Sequence, residues 1–194
     1  GCFYMNKIGF LGCSILQDEM IYLIEKDPSI KKVTLIKNGE EESISKKFRE
    51  QGISFEEKYL EQLDLKEAKS ESDEIEIVVW ILELGLHEFP KVLKQTVYEN
   101  VDSFSKHVNG ILIFYGLCGN VLGKIDEDLS TDDCVVRILR ESNGDVVDDC
   151  IGATVNGRAN YLSLLKSFKG VGTFIFTPMF SATTGEFFEY KKAK

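Results

Sequence analysis

Four side chains that can bind a transition metal occupy equivalent positions along the chain. Each comes directly after a segment that predicts a strand, and they are Cys13, His87, Cys118 and Cys150. Because the carboxyl ends of parallel strands meet at one edge of a sheet, we expect these side chains to gather there. Thiolates and neutral imidazole suit zinc or an iron–sulfur centre, and three thiolates with one imidazole complete a tetrahedral shell. The sequence therefore predicts a metal site at this edge.

Packing is the competing explanation for each cysteine taken alone, because cysteine without a disulfide is among the most buried residue types. No pair of the C-x-x-C kind supports ligation. A redox thiol enzyme is a third interpretation, and it requires two cysteines whose Cα atoms lie within about 7 Å. Cys134 and His107 precede predicted strands, which places them at the opposite edge, and we interpret both as structural.

The loop around Cys118 is the strongest single candidate for chemistry. Gly116 and Gly119 remove side chains on both sides of it, so a ligand can approach the backbone amides closely. We predict that these glycines and Asn120 bind a cofactor. A helix beginning at this point would lower the pKa of the Cys118 thiol. The alternative is a glycine turn that serves only to reverse the chain.

Two adjacent carboxylates precede the last candidate ligand. Asp148 and Asp149 stand beside Cys150, and they are the candidate catalytic residues. Either carboxylate could orient a metal ligand or act as a base. Capping of the following helix is the simpler explanation for one of them.

The elements that must position these residues alternate between strands and helices. Apolar runs predict strands at residues 7–12, 32–36, 75–82, 110–115, 135–139 and 172–177, and a further short segment at 145–147 precedes Cys150. Helical spacing predicts helices over residues 14–25, 40–73, 89–97 and 151–168, with Pro90 in a first turn and a break at Asn156–Gly157. Asn143–Gly144 is typical of a tight hairpin, which would be antiparallel. We predict a three-layer α/β fold of the Rossmann-like kind, with a mostly parallel open sheet and helices on both faces.

Composition favours one folded unit and excludes some classes of partner. The chain has 194 residues, of which 43% are hydrophobic, and this is enough to bury one hydrophobic core. We therefore predict a single domain that spans residues 5–190. Residues 1–4 and 191–194 are expected to be disordered or foreign to the domain. A net charge of −9 argues against binding to nucleic acid or anionic lipid.

Cysteine usage and hydropathy indicate the compartment. The cysteine count is odd, at 5, and no secretion signal is visible at the start of the sequence, so we expect reduced thiols in the cytoplasm. The longest apolar run, residues 75–86, contains two glutamates and is shorter than the roughly 20 residues of a membrane-spanning helix. We therefore predict no membrane span.

Several motifs together resemble one uncharacterised family, the domain of unknown function 1638. The most specific are Tyr115–Asn120 and Val147–Ile151, followed by Asn156–Tyr161. Weaker agreement in the same order covers nearly the whole chain, at Gly12–Cys13, Leu86–Pro90 and Gly172–Pro178. The chain departs from the family pattern at the Asn143–Gly144 hairpin and at Met179–Phe180.

The resemblance implies a context rather than a reaction. Members of the family accompany corrinoid-dependent methyltransferase systems, which implies a role in methyl transfer or one-carbon metabolism. A metal-bound thiolate site fits that context, because a metal holds a thiol deprotonated as a nucleophile. The corrinoid would then belong to a partner protein, and zinc is the metal expected in this chain, with an iron–sulfur cluster as the alternative. The alternative function is a non-catalytic module that binds or chaperones a corrinoid protein or its cofactor.

Overall fold

The computed structural model describes residues 6–84, 86, 89–118, 120–141, 143–147 and 158–167. Six strands form its sheet: β1 (Asn6–Cys13), β2 (Ile30–Ile36), β3 (Glu56–Lys58), β4 (Ile75–Leu82), β5 (Gly110–Phe114) and β6 (Val135–Ile138). The α-helices are α1 (Gln17–Lys26), α2 (Glu42–Glu50), α3 (Pro90–Phe104), α4 (Ile125–Leu129) and α5 (Arg158–Ser167), and short 3-10 helices span Ser14–Leu16 and Leu60–Gln62.

The six strands lie in the order β3-β2-β4-β1-β5-β6, and every neighbouring pair is parallel. The central strands β4, β1 and β5 are nearly continuous apolar runs, which suits strands that are buried on both faces. The prediction of a parallel α/β sheet is confirmed.

Two glycines of β1 show that helices cover both faces of the sheet. A Cβ atom on Gly9 would collide with the ring of Phe104 in α3. A Cβ atom on Gly12 would lie 2.9 Å from Cε of Met20 in α1. Residues at odd and even positions of a strand point to opposite faces, so α3 and α1 pack on opposite sides of β1. The predicted three-layer arrangement follows.

The chain leaves the carboxyl ends of β1 and β5 in opposite directions. These strands are neighbours, with Gly12 opposite Phe114, but β2 lies on one side of the pair and β6 on the other. Such a switch point opens a crevice at the carboxyl ends of parallel strands, and ligands commonly bind there. The switch point therefore lies at the edge where the sequence predicts the metal site.

The segment 40–73 differs from its prediction as exposed helices. Only α2 is an α-helix in this segment; β3 follows it and pairs with β2, with Thr34 opposite Glu56. The apolar residue Phe55 packs on Phe48 of α2, with ring centroids 5.2 Å apart. Three residues of mostly charged composition carry too little periodicity to indicate a strand, so the pairing of β3 is decided by tertiary contacts.

The predicted hairpin at Asn143–Gly144 is confirmed. Arg140 and Val146 form an antiparallel bridge, and Gly144 has a φ of 91°, which suits glycine in a tight turn. β6, before the hairpin, is parallel to β5. The strand predicted at 172–177, and the helix predicted over 151–168 outside α5, lie outside the described residues. No helix within the described part of the chain is both long and apolar enough to cross a membrane.

Candidate cysteine site at the carboxyl edge of the sheet

Cys13 is the last residue of β1 and lies opposite Leu82, the last residue of β4. The side chain is buried, with 7% of its surface exposed. Because Gly12 pairs with Phe114 in β5, Cys13 stands at the switch point between the two strands. The predicted position at the carboxyl edge is confirmed, although Cys13 belongs to the strand itself rather than to the loop after it.

Burial controls the ionisation of Cys13. Loss of solvent raises the pKa of the thiol to about 11, and the backbone N–H groups of Ile15 and Leu16 oppose this effect only in part. The carboxylate of Glu19 raises the pKa further. Cys13 is therefore a neutral thiol at neutral pH, and a neutral thiol is a poor nucleophile.

Cys118 occupies a different environment, in the turn that follows β5. Its φ is 45°, and that of Asn120 is 63°, so both backbones lie in the left-handed region. This conformation is unusual for a side chain other than glycine, and it costs about 1–2 kcal/mol per residue. Strained backbone of this kind concentrates at functional sites. The thiol of Cys118 is half-buried, while Asn120 is exposed.

Gly116, which precedes this turn, is buried. One expectation about the turn needs correction. In the described part of the chain no helix begins close after Cys118, because residues 120–124 form turns and a bend and α4 starts at Ile125. The expected lowering of the Cys118 pKa by a helix at this point therefore has no structural basis.

A backbone hydrogen bond joins the two most specific sequence motifs. The N–H of Leu117 donates to the carbonyl oxygen of Val147 at 2.7 Å. Leu117 directly precedes Cys118, and Val147 directly precedes the pair Asp148–Asp149. The hairpin after β6 therefore returns the chain to the Cys118 turn, although Leu117 and Val147 are 30 positions apart in the sequence.

The remaining predicted site residues, His87, Gly119, Asp148, Asp149 and Cys150, lie outside the described residues. Among the residues that are described, no group of three or more histidine, cysteine or acidic side chains is arranged to hold a metal ion. No disulfide links the three described cysteines, Cys13, Cys118 and Cys134. Cys134 is buried directly before β6, at the amino edge of the sheet, as predicted.

Sequence reasoning missed two acidic residues near the predicted site. Glu19 lies in the first turn of α1, and burial raises the pKa of its carboxyl group. Asp126 is buried in α4 and pairs with Arg140 at the start of the hairpin. An acidic residue in the first turn after Cys13 is a signal that could have indicated Glu19. The pairing of Asp126 depends on the hairpin register and has no comparable local signal.

A groove of about 710 Å³ lies at the opposite, amino edge of the sheet. Residues at the starts of four strands line it, together with Lys69 and Arg137. The lining includes no cysteine or histidine. We therefore assign the candidate chemistry to the carboxyl edge, where Cys13 and Cys118 lie, although the large groove is elsewhere.

Residues 81–193, more than half of the chain, match the family described as "Protein of unknown function (DUF1638)". No curated protein matches the chain significantly. No solved structure does so either.

Proposed function

The chain belongs to the DUF1638 family, and on this premise we propose that it is a metal-binding protein whose site lies at the carboxyl edge of the sheet. Cys13 and Cys118 supply two thiolates, and His87 and Cys150 supply the other ligands. Zinc is the proposed metal because its tetrahedral thiolate and imidazole sites have this composition, and an iron–sulfur centre is the alternative.

The observation that carries the proposal is the hydrogen bond between Leu117 and Val147. It supports a common location for the Cys118 turn and for the segment that leads to Cys150. Cys13 lies at the same edge because β1 and β5 are neighbours. Two of the proposed ligands, Cys13 and Cys118, are thus attached to backbone at the switch point, and Val147, three positions before Cys150 in the sequence, is hydrogen-bonded to the residue before Cys118.

The chemistry of such a site follows from the state of Cys13. A thiol with a pKa of about 11 is protonated at neutral pH, so metal binding must release its proton. A metal held by these residues would keep a bound thiol deprotonated, and a deprotonated thiol is the kind of nucleophile that methyl transfer in corrinoid-linked one-carbon metabolism requires. Asp148 or Asp149 would orient a ligand or accept a proton, and Gly116, Gly119 and Asn120 would border the bound molecule. A cytoplasmic location is part of this proposal.

A non-catalytic module for a corrinoid protein or its cofactor is the second candidate function. Phe89 and Val92, at the start of α3, support it because 48% and 50% of their surfaces are exposed. They follow the end of β4, at the carboxyl edge that bears the cysteines. Exposed apolar side chains at such a place suit contact with a protein partner.

Metal analysis of protein purified without oxygen tests the first proposal. We expect about one zinc or iron centre per chain in the wild type, and loss of the metal in Cys118→Ser. Cys134→Ala is the matched control, because Cys134 lies at the opposite edge, and this variant should retain the metal. A wild type without stoichiometric metal, or a metal content that Cys118→Ser leaves unchanged, would contradict the proposal.

Capture experiments separate the two candidates. Stable capture of a corrinoid protein by a metal-free wild type, lost in Phe89→Ser with Val92→Ser, would favour the binding module. Stoichiometric metal without such capture favours the metal protein.

A further inference from the structure

An ion pair between Arg140, which is 41% exposed, and the buried Asp126 attaches the hairpin after β6 to α4. Nη2 of Arg140 donates to Oδ2 of Asp126 at 2.5 Å, and only 8% of the Asp126 side chain is exposed. Nη1 of Arg140 also donates to the carbonyl oxygen of Gly144 at 2.8 Å, in the turn of the hairpin. One guanidinium therefore holds α4 and the hairpin turn at once, with the two-pronged geometry that lysine lacks.

Backbone hydrogen bonds extend this attachment to the Cys118 turn. The hairpin is closed by the N–H of Val147, which donates to the carbonyl oxygen of Leu139 at 3.2 Å. The carbonyl oxygen of Val147 accepts from the N–H of Leu117 at 2.7 Å. The carbonyl oxygen of Leu117 in turn accepts from the N–H of Val121 at 3.1 Å, and Val121 leads into α4.

These contacts form a closed ring, which we name the Arg140 clamp. It runs from Asp126 to Arg140, along the hairpin to Val147, then to Leu117, and back through Val121 to Asp126. Cys118 follows Leu117 directly, so its turn lies within the ring. A left-handed cysteine backbone persists only where surrounding structure holds it, and the clamp supplies that structure.

We propose that Arg140 and Asp126 are positioning residues that fix the Cys118 thiol for ligand binding. The inference rests on the proposed function, since it assigns the clamp to the same site. It goes beyond that function by locating the control of site geometry in a pair that supplies no ligand. Residues that orient metal ligands without binding the metal have this kind of role.

The test compares variants that weaken the clamp with a control on a different ion pair. Asp126→Asn combined with Arg140→Gln removes both charges, so no unpaired charge is left buried. Arg140→Lys keeps the charge but removes the two-pronged hold. Arg49→Ala is the control, because Arg49 pairs with Glu57 at 3.4 Å on the exposed surface between α2 and β3.

The first measurement is titration with cobalt(II), whose thiolate absorption reports sulfur ligation. We expect the double variant to bind cobalt about 10–100-fold more weakly than the wild type, because residues that orient ligands have effects of this size. Arg140→Lys should be intermediate, and Arg49→Ala should match the wild type. Equal affinity in the wild type, the double variant and Arg140→Lys would overturn the proposal.

The second measurement needs no metal. In metal-free protein we expect faster hydrogen exchange of the Leu117 amide, and faster alkylation of Cys118, in the double variant than in Arg49→Ala. If the wild type binds no metal but these rates rise, the proposed function fails and the clamp stands. Unchanged rates in the double variant and in Arg140→Lys would overturn the clamp. Arg140→Lys decides the result if the double variant does not fold.

Discussion

The carboxyl ends of β1 and β5 are neighbours, yet they present cysteines in contrasting ways. Cys13 ends a regular strand within the core, and burial makes its thiol a weak acid. Cys118 lies in an irregular turn, half-buried, with a backbone conformation that glycine would adopt more readily. The contrast indicates that core packing places the first thiol, whereas a ring of hydrogen bonds and one ion pair places the second.

Thiol reactivity should show the largest difference between the two positions. A pKa of about 11 leaves Cys13 with at least about 100-fold less thiolate at pH 8 than an ordinary cysteine, and burial slows its reaction further. We expect iodoacetamide to modify Cys118 long before Cys13 in the metal-free protein, as measured by peptide mass spectrometry. Modification of Cys13 at a rate similar to that of Cys118 would refute the contrast.

Gly12→Ala should show how tightly β1 is packed beside Cys13. The added Cβ would lie 2.6 Å from Cβ of Phe114 and 2.7 Å from its carbonyl oxygen, and backbone cannot move aside cheaply. We expect the free energy of unfolding to fall by roughly 1–3 kcal/mol, as measured by urea denaturation. A Gly110→Ala variant in β5 controls for the loss of a strand glycine, because its backbone has no positive φ and the added Cβ would lie 3.3 Å from the nearest atom, Cδ1 of Ile8. A Gly12→Ala protein more stable than this control would be inconsistent with close packing.

Replacement of Cys13 should lower the stability of the protein, whereas replacement of Cys118 should not. Cys13→Ala removes a buried side chain, and we expect it to lower the free energy of unfolding by about 1 kcal/mol. Cys118→Gly relieves a left-handed backbone, so the metal-free protein should be unchanged or more stable by up to about 1 kcal/mol. Thermal and urea denaturation of the metal-free variants measure both effects. Equal losses in the two variants would show that core packing places Cys118 as well.

The smallest expected effect is the contribution of Glu56 to stability at low pH. Glu56 lies in β3, an edge strand that neighbours neither β1 nor β5. Hydrogen bonding to Lys32, above all, lowers the pKa of Glu56 to about 2 from its usual 4.5. The contribution of this carboxylate to stability is therefore complete above pH 4.5, and it is lost as the pH falls towards 2. Because the Glu56 side chain is 40% exposed, we expect only about 0.2–1 kcal/mol.

The loss of stability at low pH should be independent of the reactivity of the cysteines. Glu56→Gln should flatten the acid limb of the unfolding curve and leave the alkylation rate of Cys118 at neutral pH unchanged. A change in that alkylation rate would mean that the β3 edge of the sheet is coupled to the Cys118 turn.

The parallel sheet was predictable because a long apolar run forms a buried strand whichever strands lie beside it. β4 and β5 are examples, since each is a nearly continuous apolar run whose residues are mostly buried. The edge strand β3 was not predictable, because three residues take their conformation from pairing with β2.

The site was predictable only where it depends on strand ends. The position of Cys13 follows directly from the end of an apolar run. The left-handed backbone of Cys118 and the pairing of Asp126 with Arg140 do not, because both arise from contacts that the hairpin creates after folding. Local pattern thus locates the edge of the site, whereas tertiary contacts determine its geometry.

X-ray absorption at the zinc and iron edges, on protein purified without oxygen, tests the central claim most directly. The account predicts a stoichiometric metal with at least two sulfur ligands, and a loss of sulfur ligation in Cys118→Ser. Cys134→Ala should leave the spectrum unchanged. Absence of a stoichiometric metal, or a metal bound only through oxygen and nitrogen, would contradict the account.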